Sequence, residues 1–291
     1  MYEEKRFYMN KTEHPALLTA PELKEILKQI QLGEKEWDGE DGDVLIASML
    51  EHIGSTDSTL RDAYIYGTFC KLEMEKKLDD SLLKELLDTC LTTDMLFKGI
   101  RETGRDSVFT RSFTTLLVAV VLYSDNESEF LSEEKINEVK NKMIVYMNAE
   151  KDLRGFVAGK GWAHSIAHAA DVFDELAKSR FTDPEMFAEL LSPLWKKALV
   201  SDTVYIHDEE ERILNPIVEM LKRGLDFQVV ESLLQELPAD MEKRKAQLEE
   251  ENYWFLIANS KKFLKSFYIQ IEDSSELSEL QESIRSCLSQ L

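Results

Sequence analysis

The chain is poor in the residues that break or cross-link a fold: its 291 residues include only 3 Cys, 6 Pro and 11 Gly. Cys70, Cys90 and Cys287 are odd in number and widely spaced. They match neither a disulfide framework nor a zinc pattern, which indicates a reducing compartment. Because no Gly-, Pro- or Ser-rich linker divides the chain, we expect a single domain over 16–291. Residues 1–15 are expected to form an N-terminal extension, for which disorder is one interpretation.

Long apolar segments and positive charge are also scarce. The N-terminus, MYEEKRFYMNKTEH, is charged, and the longest apolar run, LLVAVVLY at 116–123, is far shorter than the roughly 20 residues of a membrane span. Lys and Arg number 35 against 56 Asp and Glu, which gives a net charge of −21. Such an acidic protein repels polyanions, so we expect neither nucleic acid nor a membrane as a partner. These features predict a soluble, cytoplasmic protein.

Apolar residues at the spacing typical of α-helices are abundant along the chain. Hydrophobic residues make up 43% of it, and apolar positions recur at three- and four-residue spacing without convincing strand alternation. Counted in pairs, the odd members of the predicted helices start near 59, 106, 160, 208 and 252, at a spacing that resembles HEAT-type repeats. The sequence therefore predicts an all-α protein, built as a HEAT-like α-α superhelix of about five stacked helix pairs. An irregular helical bundle is the alternative.

One segment differs from the rest: DLRGFVAGKGWAHSIAHAADVFDELA, residues 152–177, holds two of the five His, one of the four Trp and three of the eleven Gly. A helical wheel of residues 160–177 gives one stripe that we expect to face the core, formed by Trp162, Ile166, Ala169, Phe173 and Leu176. The opposite side contains His164, His168, Asp171 and Glu175. Two imidazoles and two carboxylates are thus predicted to share one direction.

Three interpretations of this polar side stay open. It is a solvated helix surface, a groove that faces a ligand, or a divalent-metal site, since histidines at i and i+4 can bind one ion. His164 and His168 are the candidate metal ligands, and no other cofactor is expected. Together with Asp171 they are also the candidate catalytic residues, because a His–Asp pair can be tuned for acid–base chemistry near neutral pH.

Other charged residues are predicted to border the same site. Arg154 and Lys160 lie in a glycine-containing turn ahead of the helix, where an anion can bind. The alternative is that the glycines only permit a tight connection. Arg105 and Arg111 lie near the start of another odd helix, and pairing with acids of a neighbouring helix is their alternative role. The complete set of candidate ligand-binding residues is Arg105, Arg111, Arg154, Lys160, Trp162, His164, His168, Asp171, His207 and Glu211.

The stretches RGFVAGKGWAHSIAHAADVFDELA, GRDSVFTRSFTTLLVA and RDAYIYGTF together resemble a bacterial family known as domain of unknown function 2785. The resemblance covers roughly residues 20–270, and R-G…K-G-W-x-H…A-H-x-x-D is its most specific part. It implies an all-helical, HEAT-like fold and a soluble bacterial protein, and it implies no activity. The matching positions are Arg154, Gly155, Lys160, Gly161, Trp162, His164, His168 and Asp171, with Arg61, Asp62, Arg105 and Arg111 as lesser ones.

We therefore expect a non-enzymatic, helical-repeat binding protein of undetermined oligomeric state, whose groove, centred on 154–171, holds a small polar or anionic ligand or a peptide. The alternative is a metal-dependent hydrolase that uses His164, His168 and an acid from 207–211. If the groove exists, Arg105 or Arg111 of the preceding unit and His207 or Glu211 of the next should lie within about 10 Å of the two histidines.

Overall fold

The computed structural model describes residues 16–37 and 39–291, so the predicted N-terminal extension lies outside the described residues. Within them the chain is almost entirely helical, and the only two strands contain two residues each. The predicted all-α class is confirmed.

Four helices come first: α1 (Ala20–Leu32), α2 (Gly39–His52), α3 (Gly67–Met74) and α4 (Asp80–Cys90). A π-helical segment, Thr59–Tyr66, leads directly into α3. Eight helices follow: α5 (Ser107–Ser128), α6 (Glu133–Ala149), α7 (Ser165–Lys178), α8 (Phe187–Ala198), α9 (Glu209–Lys222), α10 (Phe227–Lys245), α11 (Glu250–Gln270) and α12 (Ser278–Gln290). Between α6 and α7 lie two strands, β1 (Phe156–Val157) and β2 (Gly161–Trp162).

The odd-numbered helices pack side by side. α7 lies between α5 and α9, α9 also contacts α11, and the π-helical segment contacts α5. The even-numbered helices make their own contacts, α6 with α8 and α10 with α12. This order of neighbours is the one that stacked helix pairs produce. The HEAT-type superhelix itself stays a prediction.

Helix α5 forms the centre of the core. Nearly every residue from Val108 to Leu122 is buried. Among the described residues α5 is the one helix long and apolar enough to cross a membrane, by length and composition only. Its apolar window is 78% buried within the protein, as in the core helix of a folded domain.

The structure corrects the predicted start of α7. Instead of a helix from residue 160, β1 and β2 form an antiparallel hairpin in which Phe156 lies opposite Trp162. Gly159 and Gly161 permit the turn because both have left-handed backbone, with φ of 75° and 80°, which glycine adopts without steric cost. The helix begins five residues later than predicted.

This shift also changes the predicted core stripe. Trp162 is 39% exposed, so its assignment to the core was wrong, because it lies in the hairpin and not on the helix. The other members of the stripe are buried as predicted: Ile166, Ala169, Phe173 and Leu176.

Candidate functional site

Three polar side chains converge where α7 and α9 begin: His164, His207 and Glu209. His164 directly precedes α7 and Asp208 directly precedes α9, and both have left-handed backbone, with φ of 44° and 61°. Such a conformation is uncommon for residues other than glycine and costs about 1–3 kcal/mol. It takes His164 out of the regular helical register that the wheel assumed.

The distances among the three side chains suit a shared ion. Nε2 of His164 lies 3.5 Å from Oε1 of Glu209, and Nδ1 of His207 lies 3.8 Å from the same oxygen. One donor atom from each residue lies within 4.8 Å of the other two. Ligand atoms bound tetrahedrally at about 2.0–2.1 Å from Zn²⁺ are roughly 3.3 Å apart. Small side-chain movements would therefore bring all three onto one metal ion.

The burial and the charge of these side chains also indicate a cation site. The side chains of Glu209 and His164 are 3% and 10% exposed, and Nε2 of His164 is buried without a hydrogen-bond partner in the described structure. Burial tends to raise the pKa of Glu209, but the His164 imidazole and the backbone N–H of His207 outweigh it, so the pKa lies below its usual value. An ionised buried carboxylate 3.5 Å from a buried nitrogen that makes no hydrogen bond is an arrangement that a cation completes.

Aromatic rings cover one side of this cluster. The Trp162 ring stacks on His164, with centroids 4.5 Å apart and planes 26° apart, and meets the His207 ring edge-on at 5.3 Å. Phe156 packs against Trp162 at 5.0 Å across the hairpin. Trp162 and Phe156 remain 39% and 52% exposed, so the cluster lies under a thin aromatic cover at the protein surface.

The hairpin is held in place by Arg61, a fully buried side chain of the π-helical segment. Its guanidinium donates hydrogen bonds to the backbone oxygens of Lys160 (2.8 Å), Trp162 (3.2 Å) and Ser55 (2.6 Å). It also forms an ion pair with Asp62 at 2.7 Å. Arg61, only a lesser position in the sequence resemblance, thus positions the aromatic cover.

Gly155 is the point of closest backbone approach to the cluster. A Cβ atom there would collide with Nδ1 of His207 and would lie 2.6 Å from Oε1 of Glu209. Only glycine leaves the space that these two side chains occupy.

His168, the other predicted metal ligand, is not one of the three converging residues. Its Nδ1 lies 2.8 Å from Oγ of Ser112, and its ring packs edge-on against Phe113 at 5.2 Å. Burial, followed by the positive charge of Arg212 and the neighbouring His164, holds the pKa of His168 well below its usual value. The imidazole is therefore neutral and forms part of the core, 5.7 Å from the His164 ring between centroids.

Two of the predicted anion-binding cations have acidic partners. Nζ of Lys160 lies 2.6 and 2.8 Å from the carboxylate oxygens of Asp106. Nε of Arg154 donates to Asp152 at 2.8 Å, and its Nη2 donates to the backbone oxygen of Arg105. The side chain of Arg105 is exposed.

Arg111 is engaged in the interior. It is fully buried and forms a two-point ion pair with Glu150, which is also fully buried. The alternative interpretation of Arg111, pairing with an acid of a neighbouring element, describes these contacts.

The acids of the sequence prediction are placed differently. Asp171 pairs with Arg212, whose Nε donates to it at 2.7 Å. Glu211 is exposed, and Glu209 is the acid of the HDEEER segment that faces the histidines. The ring centroid of His207 is 6.1 Å from that of His164, within the distance expected for that histidine. The sequence reasoning included Glu209 only as one of the acids of 207–211 and did not single it out.

Comparison with known sequences places these features in a family. The family described as "Protein of unknown function (DUF2785)" matches residues 96–269, which is more than half of the chain. The matched region contains the hairpin and all three converging residues. No curated protein and no solved structure matches the chain. The all-helical chain with the His164–His207–Glu209 cluster therefore belongs to the DUF2785 family.

Proposed function

We propose that the protein binds a divalent metal ion through Nε2 of His164, Nδ1 of His207 and the carboxylate of Glu209. The observation that carries this proposal is the buried Glu209 oxygen that lies 3.5 and 3.8 Å from the two imidazole nitrogens. Two imidazoles and one carboxylate form a ligand set that Zn²⁺ and other first-row divalent metals accept. Three protein ligands leave at least one coordination position for a further ligand.

The metal would also supply the positive charge that the predicted anionic ligand needs. Lys160, Arg154 and Arg111 each have a carboxylate partner, so they are poorly placed to bind an external anion. A doubly charged ion held by two neutral imidazoles and one carboxylate keeps one net positive charge. We infer a binding protein in which the metal, beneath the Trp162 and Phe156 cover, holds a small polar or anionic ligand.

Metal-dependent hydrolysis is the second candidate. Three protein ligands with an open position are typical of catalytic zinc sites, in which bound water has a pKa of about 7. Hydrolysis also needs a group that moves a proton. The His168 ring lies 5.7 Å from the His164 ring between centroids, but it bonds Ser112 and is held neutral in the core. The geometry therefore favours binding over catalysis.

The first experiment measures metal binding directly. Untagged protein is equilibrated with Zn²⁺, dialysed and analysed by mass spectrometry for metal content, and affinity is obtained by competition with a chelator. We expect about one equivalent in the wild type. Glu209→Gln should weaken binding by at least about 100-fold, because even residues that only orient ligands contribute about 10–100-fold. Glu211→Gln, an exposed acid on the same helical turn, is the matched control and should bind like the wild type.

Two outcomes contradict the proposal: a wild type that retains less than about a tenth of an equivalent, or equal losses in Glu209→Gln and Glu211→Gln. A second readout comes from Trp162, whose ring stacks on His164. Cu²⁺ bound at the cluster should quench the Trp162 emission, and most of this quenching should disappear in Trp162→Phe. Quenching that is unchanged in Trp162→Phe would place the ion elsewhere.

A further inference from the structure

A second concavity lies between α3, α5 and α7, and none of its lining residues belongs to the His164–His207–Glu209 cluster. Its floor is apolar and includes Ala119 and Val120 of α5. Tyr66 and Tyr123 line it with aromatic rings, and Tyr123 is 51% exposed. The concavity, which we call the α3–α7 groove, thus combines an apolar surface with two tyrosine side chains.

Carboxylates line both sides of the α3–α7 groove. Glu73 comes from α3, whereas Asp171, Asp174 and Glu175 come from α7. Glu73 is unusual because its side chain is only 4% exposed. Its Oε1 binds Lys76 at 2.7 Å, but its Oε2 is buried and has no hydrogen-bond partner in the described structure. A buried acceptor left in this state is costly, so the groove wall contains a strong acceptor without a donor.

The cations around the groove do not balance its acids. On α7, Lys178 serves both Asp174, at 2.6 Å, and Glu175, at 2.9 Å. Arg212 serves Asp171, and Lys76 serves Glu73. In these ion pairs of the described residues, three cations therefore bind four carboxylates.

Burial raises the pKa of Asp171 despite its contact with Arg212, and the neighbouring Asp174 and Glu175 raise it further. A positively charged ligand in the groove would offset the repulsion among these three carboxylates.

We propose that the α3–α7 groove binds an alkylammonium ligand, with one ammonium group on Oε2 of Glu73 and its chain on the apolar floor. A charge-assisted hydrogen bond from the ammonium supplies the missing donor. The exposed ring of Tyr123 can add a cation–π contact, and the α7 carboxylates favour a second ammonium at the far end of the chain. A bare metal ion fits less well, because the floor offers Ala119 and Val120 in place of ligand oxygens.

Calorimetric titration of the full chain with 1,5-diaminopentane, with a chelator present to keep the histidine cluster free of metal, tests this proposal. We expect saturable one-to-one binding. Glu73→Gln should weaken it by about tenfold or more, because the ammonium loses its charged acceptor. Glu75→Gln is the matched control, since Glu75 directly follows the same helix, is 38% exposed and pairs with Lys77. Its affinity for the diamine should equal that of the wild type.

A second variant and a second ligand guard against an indirect effect. Tyr123→Ala changes an exposed rim residue without touching the core and should weaken binding about two- to fivefold. A lysine-containing peptide that competes with the diamine at the same site supports the proposal and identifies a protein side chain as the source of the ammonium.

Two results would overturn the proposal. They are absence of saturable binding at up to about 10 mM diamine and equal losses in Glu73→Gln and Glu75→Gln. Because the chelator is present throughout, failure here leaves the His164–His207–Glu209 metal site unaffected.

Discussion

Removal of the charge on Glu150 should destabilise the fold strongly, because Arg111 would be left buried without its ion partner. Both side chains are 0% exposed. The guanidinium contacts both carboxylate oxygens, with Nε at 2.5 Å from Oε2 and Nη2 at 2.8 Å from Oε1. Breaking a buried pair by removing one partner costs about 3–5 kcal/mol. We expect Glu150→Gln to lower the free energy of unfolding by about that amount.

The measurement is urea-induced unfolding, followed by circular dichroism, of Glu150→Gln, Arg111→Met and the double variant. Replacement of both charges leaves no uncompensated ion, so the double variant should lose at least about 2 kcal/mol less than the sum of the single variants. Glu189→Gln is the control, because Glu189 is 61% exposed and pairs with Lys140. It should change the free energy of unfolding by less than about 1 kcal/mol.

A loss below about 1 kcal/mol in Glu150→Gln would refute this reasoning. Strict additivity of the two single variants would refute it as well, since it would mean that the two side chains do not interact. Either result would return Arg111 to the residues available for a ligand, where the sequence alone had placed it.

Three other perturbations have defined outcomes. His168 is buried and neutral, so below pH 6.5 the unfolded chain binds a proton that the folded chain does not. The free energy of unfolding should therefore fall by up to about 1.4 kcal/mol for each unit by which the pH decreases. In chelator-treated protein, His168→Gln should remove this dependence, whereas the control His52→Gln should keep it. Gly155→Ala should weaken Zn²⁺ binding at least about tenfold, because its Cβ would occupy the space of His207 and Glu209. Lys160→Met removes an exposed ion pair, so urea unfolding should shift by less than about 1 kcal/mol.

The positions of the helices could be predicted because each helix buries one stripe of apolar residues, and that stripe is visible as a spacing of three and four. The predicted odd helices start within five residues of the observed ones. The largest error was at α7, where the apolar stripe continues backwards through Trp162 by coincidence. Gly159 and Gly161 have left-handed backbone, which the spacing of apolar residues does not reveal. Because of this backbone, residues 156–162 form a hairpin and not the first turn of α7.

The candidate site was predicted in part for the same reason. His164 and His207 were both identified, but the helical wheel attached His168 and Asp171 to them because it treated His164 as a helical residue. Among the consecutive acids after Asp208, the sequence gives no basis for preferring Glu209 over its neighbours. The choice depends on the left-handed backbone at Asp208 and on the packing of α9 against α7.

The hydrogen bonds from Arg61 to the hairpin join residues 99 and 101 positions apart in the chain. The proposed metal ligands are supplied by still later residues, with Glu209 the last of them. During synthesis the anchor therefore emerges first, the aromatic cover next and the final ligand last. The cluster can bind an ion only after α9 has packed against α7. An ion that binds the complete cluster and not the unfolded chain would therefore stabilise the packing of α9 against α7. Metal uptake would then mark the completion of folding around the cluster.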